Sequence, residues 1–146
     1  MTPKEFLNQY LEATSKINGK LDEIRKLRSL AVKVTQTLTP NRISSGENRG
    51  RVETAVAKIV DMEKEVSADI GQLRDVKRIV EGAIERVSDE RYRKVLRLKY
   101  INGKTWAQIC TALYSERSDF PDKYDSYLRN IYRWHGIGLQ QIEQCH

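Results

Sequence analysis

Three observations predict an all-α fold for this sequence. Residues 3–38 and 52–87 each carry apolar side chains at a seven-residue repeat, the spacing that keeps one seam of a helix facing a partner. Between Ser88 and Ile142, three shorter apolar patterns recur at helical spacing, broken by turn-forming residues. Helix-start signals stand in front of these stretches: Thr2-Pro3 with Glu5, Ser88-Asp89-Glu90, and Thr105 with Gln108. Together they predict a long antiparallel helical hairpin, a coiled-coil arm over residues 1–87, followed by a helix-turn-helix over residues 88–146.

In the first stretch Leu7, Tyr10, Ile17, Leu21, Ile24, Ala31 and Leu38 form the stripe, widened by Phe6, Leu11, Leu27, Val32 and Val34. Thr39-Pro40 should end it, because proline disfavours helix in the residue before it. Residues 39–51, rich in turn-formers, read as a flexible loop. The second ladder is stricter. Val52, Ile59, Val66, Leu73, Val80 and Val87 step by seven, with Val56, Met62, Ile70, Val76 and Ile84 between them. The two spans are equal in length, each roughly 54 Å as a helix, which suits an antiparallel pair. Such a pair leaves apolar stripes wet, so a second copy or the C-terminal helices must cover them, and a homodimer through residues 3–87 is expected.

The next helix carries Tyr92, Val95, Leu96, Leu98 and Ile101 and should stop at Asn102-Gly103. The one after opens on the capping box of Thr105 and Gln108, with Trp106, Ile109, Cys110 and Leu113 expected to pack inward. In the last helix Leu128, Ile131, His135, Gly138, Leu139 and Ile142 share a face, Trp134 at its edge. The opposite face holds Ser126, Arg129, Arg133, Gly136 and Gln140, with Asn130 beside them. A short helix, a glycine turn, a capped helix and a third helix with outward cations have the form of a helix-turn-helix DNA reader. Arginine pairs bidentately with guanine and asparagine with adenine in the major groove, so Ser126, Arg129, Asn130 and Arg133 are the candidate base readers. The competing reading is that Arg129 and Arg133 only solubilise the surface. Lys104, Thr105 and Lys123 are the candidate phosphate contacts. Lys104 ends a run in which Arg91, Arg93, Lys94, Arg97 and Lys99 occur without an acid. The segment 116–125 is acidic around Phe120-Pro121; it either turns away from DNA and offers Phe120 to a protein partner, or packs it locally.

The run from Val95 to Leu113, VLRLKYINGKTWAQICTAL, resembles in outline the start of a sigma-factor region 4 helix-turn-helix. More narrowly, Tyr100, Ile101, Thr105, Trp106, Ile109, Tyr114 and Ser115, then Ile131, Arg133, His135, Leu139 and Ile142, resemble phage and prophage transcriptional regulators of the ArpU and RinA kind. The resemblance covers the last third of the chain. About ten residues separate the second and third helices where that family has a tight turn, which is its main departure from the pattern. The resemblance implies a phage-type regulator, of late genes, that binds double-stranded DNA in a bacterial host cell. It also leaves contact with the host RNA polymerase open. The alternative class is a helical assembly or adaptor protein, such as a small-terminase-like DNA-packaging subunit or a polymerase-binding factor. A dimer suits the regulator, a large ring the terminase.

Composition bounds these readings. The chain has 146 residues and a formal net charge of +6, an excess that favours a polyanionic partner. No run approaches the roughly 18 apolar residues of a membrane span, and Met1–Glu5 leads into an amphipathic helix rather than a signal peptide, so a cytoplasmic location is expected. Cys110 and Cys145 make neither a disulfide framework nor, with His135 and His146, a zinc site; no metal or cofactor is expected. Cys110 reads as a buried small hydrophobe and Cys145 as exposed. With no Gly-rich phosphate loop, no nucleophile paired with a base and no His cluster, an enzyme is not expected.

Overall fold

The computed structural model describes residues 1–37 and 45–144, and these are all-α: α1 (Pro3–Thr37), α2 (Ser45–Glu85), α3 (Glu90–Tyr100), α4 (Trp106–Tyr114) and α5 (Tyr124–Gln144). None of these helices is long and apolar enough to cross a membrane. The capping signals act as read. Thr2 Oγ1 accepts from the Glu5 amide at 3.1 Å while the Thr2 nitrogen donates to Glu5 Oε2 at 3.1 Å, so α1 starts at Pro3. Asp89 caps α3 by accepting from the Arg91 amide at 2.8 Å. Gly103 takes a φ of +66°, the conformation only glycine adopts freely, and turns the chain from α3 into α4.

One boundary differs. Residues 45–51, expected in the loop, are the first turns of α2. A seven-residue ladder nucleates the helix, and adding residues to an existing helix costs far less than starting one. Leu38, the expected stop at Thr39-Pro40, and Cys145 lie outside the described residues.

The chain divides into two compact units, residues 13–73 and residues 1–12 with 74–146. In the first, Ile17 and Ile24 of α1 bury against Ile59, Met62 and Val66 of α2, with Leu21, Leu27 and Leu73 packed around them. Ion pairs run along this seam: Lys20 to Asp69 at 2.5 Å, Lys58 to Glu23 at 3.7 Å, and Arg28 to Glu63. Lys20 pairs with Asp69, whereas Glu23 and Arg28, further along α1, pair with Lys58 and Glu63, earlier in α2, so the segments are antiparallel here. The Lys58–Glu23 and Arg28–Glu63 pairs are exposed and contribute little, about 0–1 kcal/mol each, while Lys20 and Asp69 are half-buried. Of the ladder's intermediate positions Val56 and Ile70 stay exposed, at 48% and 39%.

The second unit has two cores with α3 between them. Phe6 and Leu7 of α1 and Val80, Ala83, Ile84 and Val87 bury with Leu96, Tyr100 and Ile142. Val95, Ile109, Cys110, Tyr114, Tyr127 and Ile131 make the other core. The start of α1 and the end of α2, expected in the arm, thus share a core with α3 and α5. Trp106 is partly buried, packed against the second of these cores, and Ile109 is fully buried.

A pair of glycines in α5 tests this packing. A Cβ on Gly138 would stand 2.9 Å from Leu96 Cδ1, whose side chain is itself fully buried, while one on Gly136 would meet nothing within 4 Å. Gly136→Ala should stabilise by about 0.5–1 kcal/mol, through helix propensity alone. Gly138→Ala should destabilise by about 1–3 kcal/mol, the usual range for overpacking. Denaturant titration of both variants checks the opposite signs; equal stabilisation would mean that Leu96 yields and the contact is loose.

Candidate nucleic-acid interface

Helix α5 is amphipathic along its length. Tyr127, Ile131 and Ile142 are buried, and Ser126, Arg129, Arg133 and Gln140 are exposed on the opposite side. The three candidate readers Ser126, Arg129 and Arg133 therefore share one outward face. Asn130 sits at its flank, half-buried. Arg133 Nη2 donates to Asn130 Oδ1 at 3.1 Å, and Arg129 Nε donates to the Asp125 carbonyl at 3.4 Å. Both guanidinium groups keep most of their donors free for another acceptor.

Lys104 and Thr105 stand together at the start of α4, exposed. Thr105 is first a cap: its Oγ1 accepts from the Gln108 amide at 3.2 Å, and its own amide donates to Gln108 Oε1 at 2.9 Å. Its hydroxyl proton remains to be donated elsewhere. Lys123 precedes α5, 3.5 Å from Asp119 Oδ2.

Residues 115–123 form a hydrogen-bonded turn. The Arg117 amide donates to the Tyr114 carbonyl at 3.0 Å, that of Phe120 to Arg117 at 3.1 Å, and that of Lys123 to Asp119 at 2.9 Å. Phe120 packs edge-on against Tyr124 with ring centroids 5.7 Å apart, so of the two expectations local packing holds. The Tyr127 hydroxyl donates to Asp119 Oδ1 at 2.5 Å and holds that carboxyl below its ordinary pKa. Arg117, which sequence reasoning missed, lies over the stacked rings of Tyr114 and Tyr127, 5.6 and 5.8 Å from their centroids. The sequence signal was slight: one arginine in an acidic segment, three residues beyond a tyrosine.

Beneath this surface Tyr100 Oη and His135 Nε2 are 2.6 Å apart, with the two rings stacked. Trp106 meets His135 edge-on at 4.8 Å, and Lys99 Nζ stands 4.5 Å from the Trp106 ring centre. Burial pushes the Tyr100 phenol up to about 12. Burial, then Lys4 and Lys99, push His135 down to about 4. His135 is thus a neutral packing residue that ties the end of α3 to α5.

Residues 33–130, more than half of the chain, match a family model described as "Protein of unknown function (DUF1492)". The match takes in α2, α3, α4 and the first turns of α5. No curated protein and no solved structure matches the chain.

The buried histidine gives a pH dependence. Unfolded, it takes up a proton as the pH falls through about 6.5; folded, it refuses one until about 4. Stability from this group is therefore complete above the unfolded value and is lost as the pH falls between the two, by roughly 3 kcal/mol in all. His135→Gln keeps a hydrogen-bonding partner for Tyr100 and cannot titrate. Denaturant unfolding near pH 7 and near pH 4 should show wild type losing about 3 kcal/mol more than this variant. Equal losses would mean that the imidazole is solvated.

Proposed function

This chain belongs to the DUF1492 family of unknown function, and we propose that it is a DNA-binding transcriptional regulator of the phage type. The observation that carries this reading is the outward face of α5, where Ser126, Arg129 and Arg133 stand clear of the core. A helix held rigidly on two others and presenting forked donors suits the major groove, which admits one α-helix and displays a distinct acceptor pattern for each base pair. Lys104, at the start of α4, supplies a phosphate contact that positions the helix without reading sequence. The similarity of Val95–Leu113 to sigma region 4, and of the later residues to ArpU- and RinA-type regulators, supports the same reading. In it, transcription is altered by occupying a promoter, of late genes in the regulators it resembles, with polymerase contact as an additional route.

A homodimer belongs to this reading. Val56, Val60 and Ile70 are 48%, 43% and 39% exposed on α2, on one side of the buried ladder. A second copy covering them would double the contact with a two-fold DNA site. A charge there costs little in a monomer but is unpaired and buried in an interface. Val56→Asp with Ile70→Asp should shift the sedimenting species from dimer to monomer with helicity unchanged. A wild-type monomer would remove the dimer; a large ring would favour the assembly-protein alternative.

For readout, Arg129→Ala and Arg133→Ala should each cost about 1–3 kcal/mol of discrimination at one base position. Titrations on a site selected from random duplex DNA, and on its scrambled counterpart, separate the cases. If either variant lowers both affinities equally, that arginine touches phosphate and does not read a base.

A further inference from the structure

Helix α4 crosses beneath α5 from one flank to the other. At its start Trp106 meets Tyr132, with ring centroids 5.1 Å apart, and Lys99 and Lys104 lie at that end. At its far end Tyr114 stacks on Tyr127 at 4.2 Å and reaches Trp134 at 6.0 Å. On the α5 wheel Tyr132 and the pair Tyr127 and Trp134 fall on opposite sides of the buried Ile131. The second flank carries its own cations: Arg117 over Tyr114 and Tyr127, and Arg91 over Trp134 at 5.5 Å. Arg91 is held by Asp89 at 2.9 Å. Among the described residues, Arg117 has no carboxylate within ion-pair distance. Its guanidinium lies on an aromatic wall with its alignment set by the hydrogen-bonded turn, and it remains exposed. A weakly hydrated, planar cation fixed in this way, with donors free, suits a phosphate oxygen.

We propose that Arg117 is a phosphate-contact site for duplex DNA, on the flank of α5 opposite Lys104, with Arg91 as its neighbour. A helix in the major groove has one phosphate strand on each side, and the groove is about 12 Å wide. Lys104 faces one strand and Arg117 the other, so α5 is held between two contacts that carry no sequence information. The segment 116–125 then does not turn away from DNA: its tied carboxylate, Asp119, braces the turn, and its arginine faces the backbone. This inference rests on the DNA-binding reading above and adds to it a residue and a strand.

The test uses the full chain with Arg117→Gln, Arg117→Lys, Lys104→Gln and the Arg117→Gln/Lys104→Gln double variant, titrated against a mixed-sequence duplex at several salt concentrations. Each Gln variant should lower the slope of log affinity against log salt by about 0.9, and the double variant by about twice that. Arg117→Lys keeps the charge and should keep the wild-type slope. The loss from Arg117→Gln should be the same on a selected and a scrambled duplex, and smaller on single-stranded DNA. An unchanged slope for Arg117→Gln beside a lowered one for Lys104→Gln overturns this site and leaves the DNA-binding reading standing. Equal weakening by Gln and Lys at an unchanged slope would make Arg117 a packing residue only, and overturn it too. An equal loss on single strands would make the contact a general polyanion attraction and remove its place in the groove. A wild-type chain that binds no duplex removes the reading itself.

Discussion

Everything in the unit built on residues 1–12 and 74–146 depends on α3 being buried on two sides at once. Its 11 residues hold only a narrow apolar band, yet the neighbours Val95 and Leu96, both fully buried, go to different cores. Consecutive residues on a helix point about 100° apart, so one short helix can divide two cores only if both positions are apolar and everything else is tolerant of the edge. The cations meet that condition by lying along the margins. Arg93, for example, turns its Nη1 to the Val87 carbonyl at 2.8 Å and closes the junction between α2 and α3. Leu96 then fixes how close α5 approaches, which is why a residue without a Cβ stands at Gly138.

The same helix sets the two ends of the surface. Its first turn places Arg91 against Trp134, and its last places Lys99 over Trp106. Tyr100, one residue further, bonds His135. Arg91 is also paired with Asp89, but Lys99 over Trp106 and Arg117 over Tyr114 and Tyr127 are held at defined places by aromatic rings instead of by carboxylates. A ring attracts a cation by roughly 0.5–1 kcal/mol at an exposed site without neutralising it, so the charge stays available to an anion. An ion pair in the same place would position the side chain and cancel it.

Much of this was legible in the sequence because it is local. Capping boxes, the Asn102-Gly103 stop and the seven-residue ladder depend on residues a few positions apart, and the outward set Ser126, Arg129 and Arg133 follows from helical spacing alone. What the sequence concealed is tertiary. Nothing local to Phe6 or Leu7 says that they meet Ile142 rather than a partner in an arm, since both uses call for the same apolar spacing. Val56 and Ile70 look like seam residues for the same reason, although the seam passes them by. Arg117 was hidden differently: its value lies in the stack of Tyr114 on Tyr127, residues from two helices, and composition marked its segment only as acidic.

The burial of Phe6 and Leu7 beside Ile142 has a consequence for how the chain comes to be folded. A contact spanning that much sequence cannot form while the polypeptide is still being extended. Closing so large a loop costs entropy before any packing rewards it. During synthesis the core around the beginning of α1 can therefore be completed only once α5 has left the ribosome, while residues 13–73 can already pair. The core shared by the start of α1 and the end of α5 is then completed after the seam of residues 13–73.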